Sequence, residues 1–193
     1  MNKLTRDDLY SLEEYSAKRN AFRAEVMEHK KNRRLAIGEN ASLYFEDRVV
    51  MQYQIQEILR AEKIFEADEI AEELKVYNAM IPDGSNWKVT FMLEYADVEQ
   101  RKVALSQLLG IDQKTWVRVD GFDKVYPISN EDLERETEDK TSSVHFMRFE
   151  LTSEMVVAAK EGAVLSAGIE HENYHHTLDM PENIRASLVS DLA

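Results

Sequence analysis

His171, Glu172 and His175 stand in the spacing H-E-x-x-H, by which one helix face offers zinc two imidazoles and a general base. That chemistry needs two helical turns, because only a helix brings residues four apart onto one side. Gly162, Val164, Gly168 and Ile169 precede the motif and Pro181 follows it, so strand or loop is predicted here. A zinc hydrolase would also need a third ligand and an open coordination position. Zinc at this motif therefore ranks below a looser metal site, or a polar segment whose histidines meet water.

A second constellation lies on a Glu-rich helix predicted over residues 47–77. Its apolar stripe of Met51, Ile55, Ile58, Leu59 and Phe65 takes in Glu62 and Glu69, with Glu66 at the margin. Carboxylates four apart on an inward helix face are how helical carboxylate proteins hold metal, here iron or manganese. His145, on a strand predicted over residues 143–151, is the candidate third ligand. Glu46, Glu57 and Arg148 would surround and orient these groups. The structural alternative is a solvated Glu-rich helix, Arg148 paired with an acid, and His145 bonded to a backbone carbonyl.

Several elements must position these groups. Helix is predicted up to about Lys31, with Thr5 as a cap, then two short strands over 34–37 and 42–45. A strand over 87–95 and a helix opened by Asp97 follow. Asp120-Gly121 between two apolar runs predicts a hairpin, because Asp-Gly accepts the positive φ of a type I′ turn. A short helix is expected from Ser129, and further helices from Thr152 and Pro181. The fold class is α+β, with a mixed or antiparallel sheet covered by helices. The 193 residues are expected to form a single domain, with residues 1–34 as an N-terminal helical segment and 163–193 as a C-terminal appendage.

Composition narrows the function classes. Cysteine is absent, which removes thiol nucleophiles, disulfides and iron–sulfur ligation and suits a reducing cytoplasm. The net charge is −13, yet residues 1–34 carry nine Lys/Arg against six Asp/Glu, leaving −16 on the rest. Such an acidic body repels phosphate backbones, so nucleic acid is not an expected partner. The cationic run from His29 to Arg34 reads as a solvated helix end. No apolar run reaches the ~20 residues of a membrane span, and the first residues lack a signal peptide's apolar segment.

LTRDDLYSLEEY, FEDRVVMQYQIQEILRAEKIFE, IPDGSN and EDLERETEDKTSSVHFMRFEL together resemble an uncharacterised bacterial domain-of-unknown-function family, number 3501, over residues 4 to about 170. The resemblance implies no catalytic residues. It implies a cytoplasmic protein whose gene neighbours encode rubrerythrin-like and iron–sulfur oxidoreductase-like proteins, hence a role in redox or peroxide-stress physiology. The function expected is thus a binding or accessory protein beside such a redox partner, with a carboxylate/His metal site; a homodimer along the long helix would be compatible. The alternative is a metal-dependent enzyme, an iron or manganese oxidoreductase first and a zinc hydrolase second.

Overall fold

In the stretch Asn86–Leu93, tryptophan, valine, phenylalanine and leucine at 87, 89, 91 and 93 alternate with lysine, threonine and methionine. A strand sends alternate side chains to opposite faces, and here the first set is buried while Lys88, Thr90 and Met92 are half-buried. This strand, β3, is the centre of a five-stranded antiparallel sheet in a computed structural model that describes residues 3–133 and 135–193. Its neighbours are β1 (Arg34–Ile37), β2 (Ala41–Phe45), β6 (Val144–Glu150) and the two-residue edge strand β5 (Ile128–Ser129), in the order β1-β2-β3-β6-β5. A second antiparallel sheet has the order β4-β7-β8, with β4 (Thr115–Val119), β7 (Leu165–His171) and β8 (Tyr174–Asp179). Together with the helices these make the chain α+β.

The inner face of the large sheet and the small sheet enclose the main core, which includes Phe45, Trp87, Phe91, Phe149, Val117 and Ile169. Two further helices complete it: α5 (Ser153–Lys160), capped by Thr152, and α6 (Glu182–Val189), whose Ile184 and Leu188 point inward. Gly168 lets the Trp116 indole and the His176 carbonyl approach within 2.5 and 2.6 Å of where a Cβ would sit. The Tyr174 hydroxyl staples the sheets together, donating to the Ile37 carbonyl at 2.6 Å and accepting from the amides of Asn40 and Ala41. Residues 163–193 thus supply two strands and a helix of the core rather than an appendage.

A separate helical layer covers the outer face. It contains α1 (Leu12–Lys31), capped by Ser11, and a pair, α2 (Arg48–Glu62) and α3 (Ala67–Asn78). This layer has its own apolar cluster, in which Leu4, Leu9, Val50, Ile55, Ile70 and Ile81 meet. The remaining helix, α4 (Val98–Gln107), is capped by Asp97 and has no buried residue.

Three elements differ from the sequence expectation. The long Glu-rich helix is two helices, broken where Lys63 adopts a left-handed conformation (φ 58°, ψ 40°) and Leu59 caps it by accepting the Lys63 amide. The Asp120-Gly121 turn forms with Gly121 at φ 88°, but its returning arm makes a single bridge, Val125 to Val117, and then crosses to the other sheet as β5. No helix starts at Ser129, because Asn130 at φ 54° turns the chain out of helical geometry. Glu134, within that expected helix, lies outside the described residues. No helix among the described residues is long and apolar enough to cross a membrane.

Candidate functional site

The two apolar clusters do not merge, and the seam between them is a cavity of about 950 Å³. Its floor is the outer face of the large sheet: Lys88, Thr90 and Met92 of β3, Tyr44 of β2, and Phe146 and Arg148 of β6. Its roof is helical, with Val50, Met51 and Gln54 from α2 and Tyr77 and Met80 at and beyond the end of α3. The floor is amphipathic because a strand that faced water would be polar there and a fully buried one apolar. A covered face with room to spare is neither.

Its charged groups differ in how well they are satisfied. Arg148 is held by Glu131, in two bonds of 2.9 and 2.8 Å, and by Glu150. Glu94, at the far end, accepts from Ser42, Tyr44 and Arg34. Glu46 is buried, and burial pushes its carboxyl above the ordinary range although Thr90 donates to it at 2.6 Å. The Lys88 ammonium makes no hydrogen bond or ion pair among the described residues. Burial, reinforced by the Arg148 guanidinium opposite it in the sheet, pulls its ammonium below the usual lysine value.

Behind Glu46 lies a buried ionic cluster. Arg33 is 2% exposed and bonds the carbonyls of Phe45 and Glu46, the Ser187 hydroxyl and both oxygens of Asp191. Asp47 pairs with Arg33 at 3.3 Å and with His29 Nε2 at 2.5 Å, and caps α2 by accepting from the Val50 amide. Burial works against the Asp47 charge, but His29 and Arg33 hold the carboxyl below its ordinary value. The cationic run at residues 29–34 is thus partly internal: Arg33 is a core residue, not a solvated one.

The metal ligands considered from sequence are not brought together. Glu62, in the last turn of α2, is exposed, and Phe65 and Glu66 are exposed in the break that follows Lys63, where the chain leaves the helix. His145 is fully buried on the opposite, core-facing side of β6, beside Phe91. There its Nδ1 accepts from Asn130 and its Nε2 donates to the Ser142 carbonyl and lies 3.0 Å from the Thr141 hydroxyl. Burial lowers its pKa, keeping the ring neutral. Glu57 turns to α1, where Arg19 and Tyr15 bond it; Glu46 and Arg148 do reach the cavity. His171, Glu172 and His175 form the β7–β8 hairpin: His171 pairs with Tyr174 and His175 with Glu170. Adjacent register positions point to opposite faces, so the two imidazoles diverge, and His171 Nε2 donates to the Leu109 carbonyl at 2.9 Å. Among the described residues no group of three or more His, Cys, Asp or Glu is arranged to hold a metal ion.

Sequence reasoning passed over Lys88, Thr90 and Tyr44. Their only signal is regular alternation with buried residues, which is also what a solvent-facing strand shows.

One family model, described as "Protein of unknown function (DUF3501)", matches residues 3–192. A crystal structure of a novel protein of unknown function from Burkholderia pseudomallei K96243 is similar over 100% of both chains, at 45% identity and a TM-score of 0.93. No curated protein matches the chain.

Proposed function

The chain belongs to the DUF3501 family, and from the cavity's geometry we propose that it is a binding protein for a slender, mainly apolar small molecule with one anionic end. The observation that carries this is Lys88, a half-buried ammonium on the cavity floor with no bonded partner among the described residues. A ligand anion would supply that partner. Val50, Met51, Met80, Met92 and Phe146 would take the apolar body, and methionine-rich walls adapt to varied shapes. The outward positions from Lys88 on β3 to Glu94 just beyond its end allow a length of about 20 Å. The volume of about 950 Å³ lies within the range of small-molecule sites.

Binding of decanoate, followed by displacement of 1-anilinonaphthalene-8-sulfonate fluorescence, tests this. Losing one charge-assisted bond in Lys88→Met should weaken decanoate about tenfold or more, and decanol should compete poorly with both proteins. Equal decanoate affinity in a folded Lys88→Met protein would sink the proposal.

A second reading is favoured by the raised Glu46 and lowered Lys88, whose shifts run toward each other across Thr90. Opposed shifts of this kind suit general acid–base catalysis, and the protein would then be an enzyme acting on the same ligand class. The rubrerythrin-like or iron–sulfur oxidoreductase-like redox partner is a proposal that rests on the family resemblance alone. The cytoplasmic location rests on that resemblance and on the absence of cysteine, and the homodimer on the long helix expected from sequence; both are likewise proposals. An iron, manganese or zinc site would need the Glu62, Glu66 and His145 set, or the His171, Glu172 and His175 set, to converge in a way this arrangement does not provide. Metal content of untagged purified protein is the direct check.

A further inference from the structure

A second cavity, of about 560 Å³, opens beside the edge strand β5 and is lined by Asp112, Ser129, Asn130, Arg135 and Glu136 among others. It is polar where the first is greasy. Six buried side-chain polar atoms among the described residues have no hydrogen-bond partner, and four belong to this lining: Asp112 Oδ1, Ser129 Oγ, Asn130 Oδ1 and Arg135 Nε. Buried polar atoms are nearly always satisfied, so a cluster of orphans around one space points to a missing occupant.

The chemistry of that occupant follows from the orphans. Asp112 is 2% exposed, has no cationic partner among the described residues, and uses only Oδ2, which accepts from Asn130 Nδ2 at 3.4 Å. The same amide nitrogen donates to His145 Nδ1 at 3.1 Å. These two contacts fix the amide's orientation and leave the Asn130 carbonyl oxygen free. A carboxylate oxygen, an amide oxygen and a hydroxyl are three acceptors, and a primary ammonium offers three donors. Arg135 contributes the opposite polarity: its guanidinium is bonded to Asp132 and stacked on Phe146 at 4.5 Å, with Nε–H left over for an acceptor.

We propose that this cavity binds a small zwitterion of amino-acid size, its ammonium held by Asp112, Ser129 and Asn130 and its carboxylate by Arg135. A bare anion would meet the Asp112 and Glu136 carboxylates. A divalent cation would find only two carboxylates, beside the fixed Arg135 charge.

The twenty common L-amino acids, each at millimolar concentration, are screened by thermal shift, with propylamine, propionate, magnesium chloride and calcium chloride as separate probes. The best amino acid is then titrated calorimetrically. At least one amino acid should stabilise the protein where neither propylamine nor propionate does. Its affinity should fall about thirtyfold or more in Asp112→Asn, as expected when one side of a buried charge pair is removed. Should Asp112→Asn not fold, Arg135→Gln decides, with the same loss expected; Glu62→Gln, far from any cavity lining, should bind normally. Stabilisation by a metal chloride alone, by no probe at all, or undiminished binding in a folded variant overturns the proposal.

Discussion

Replacing Arg33 by methionine keeps the unbranched stem of the side chain and removes the buried guanidinium from an ionic cluster. Arg33 and Asp191 are 2% and 3% exposed, and the guanidinium also faces Asp47. The substitution strands Asp191 and leaves the Phe45 and Glu46 carbonyls without their side-chain donor. Breaking a buried pair from one side costs about 3–5 kcal/mol, because the remaining charge is still desolvated. The loss should depend on pH with a definite sign. Burial already raises the Asp191 carboxyl above its unfolded value of 3.8, against the pull of Arg33; without Arg33 it rises further. A group raised on folding contributes stability that is fully present below its unfolded pKa and lost as pH climbs through the folded one. Asp47, held below 3.8, contributes the opposite way, adding stability above that value, and loses part of this in the variant. Both effects shrink the deficit toward acid. Urea unfolding followed by the fluorescence of buried Trp87 and Trp116 at pH 5, 6.5 and 8 measures it. The expected gap is largest at pH 8, and Arg33→Met/Asp191→Leu should recover part of it. A gap under about 1 kcal/mol at pH 8, or one that widens toward pH 5, would refute the reasoning.

Two further outcomes follow from the same structure. Tyr174→Phe removes one donor and one double acceptor from three backbone groups at the β1–β2 turn, and should cost about 2–4 kcal/mol by urea unfolding, with no loss of decanoate binding. Glu57, whose carboxyl is pulled to about 2 by the Arg19 hydrogen bonds despite some burial, should titrate near there by carbon NMR. The sign is that of a depressed acid, whose stabilisation is present above the unfolded pKa and lost as pH falls through 2. Arg19→Met should return the midpoint toward 4.5; an unmoved midpoint would show that the bidentate contact is not its cause.

Where local chemistry decides, the chain was readable. Asp97 opens the helix it was expected to open, helices follow Thr152 and Pro181 as expected, and β1 covers the predicted residues. The misreadings share one origin. Between Glu62 and Glu66 the spacing of apolar residues continues through Ile64 and Phe65 without glycine or proline, so periodicity carried a single helix across a break. In the fold Phe65 is 70% exposed. A four-residue interruption resets the phase of a 3.6-residue repeat, and Glu66 and Glu69 lose their inward assignment with it, while Glu62 is exposed in the last turn of α2. Similarly, the run after Ser129 is rich in helix formers, yet a positive φ at Asn130 and pairing of Ile128 with Arg148 commit the chain to the sheet edge.

The main cavity was invisible for a different reason. Its floor residues alternate with core residues in β3 and β6, and that pattern ordinarily marks a face turned to water. What makes the face a cavity is the helical layer's own apolar cluster. Because Leu4, Leu9, Ile70 and Ile81 give α2 and α3 somewhere else to bury their apolar sides, the helices need not collapse onto the sheet. Most polar groups beneath them find protein partners, Glu46 in Thr90 and Glu94 in Ser42, Tyr44 and Arg34. Arg148 shows how such a floor is managed when it can be, with Glu131 brought over it from the 130–136 segment. Lys88, its neighbour across the ladder, has no such cover. A lysine dispensable to function would lose little stability by becoming methionine here, since its ammonium is half-buried without a hydrogen-bonding side chain among the described residues. An unliganded Lys88→Met protein is therefore expected to be about as stable as the parent, and a lysine that adds little stability in that position is best explained by the anion it waits for.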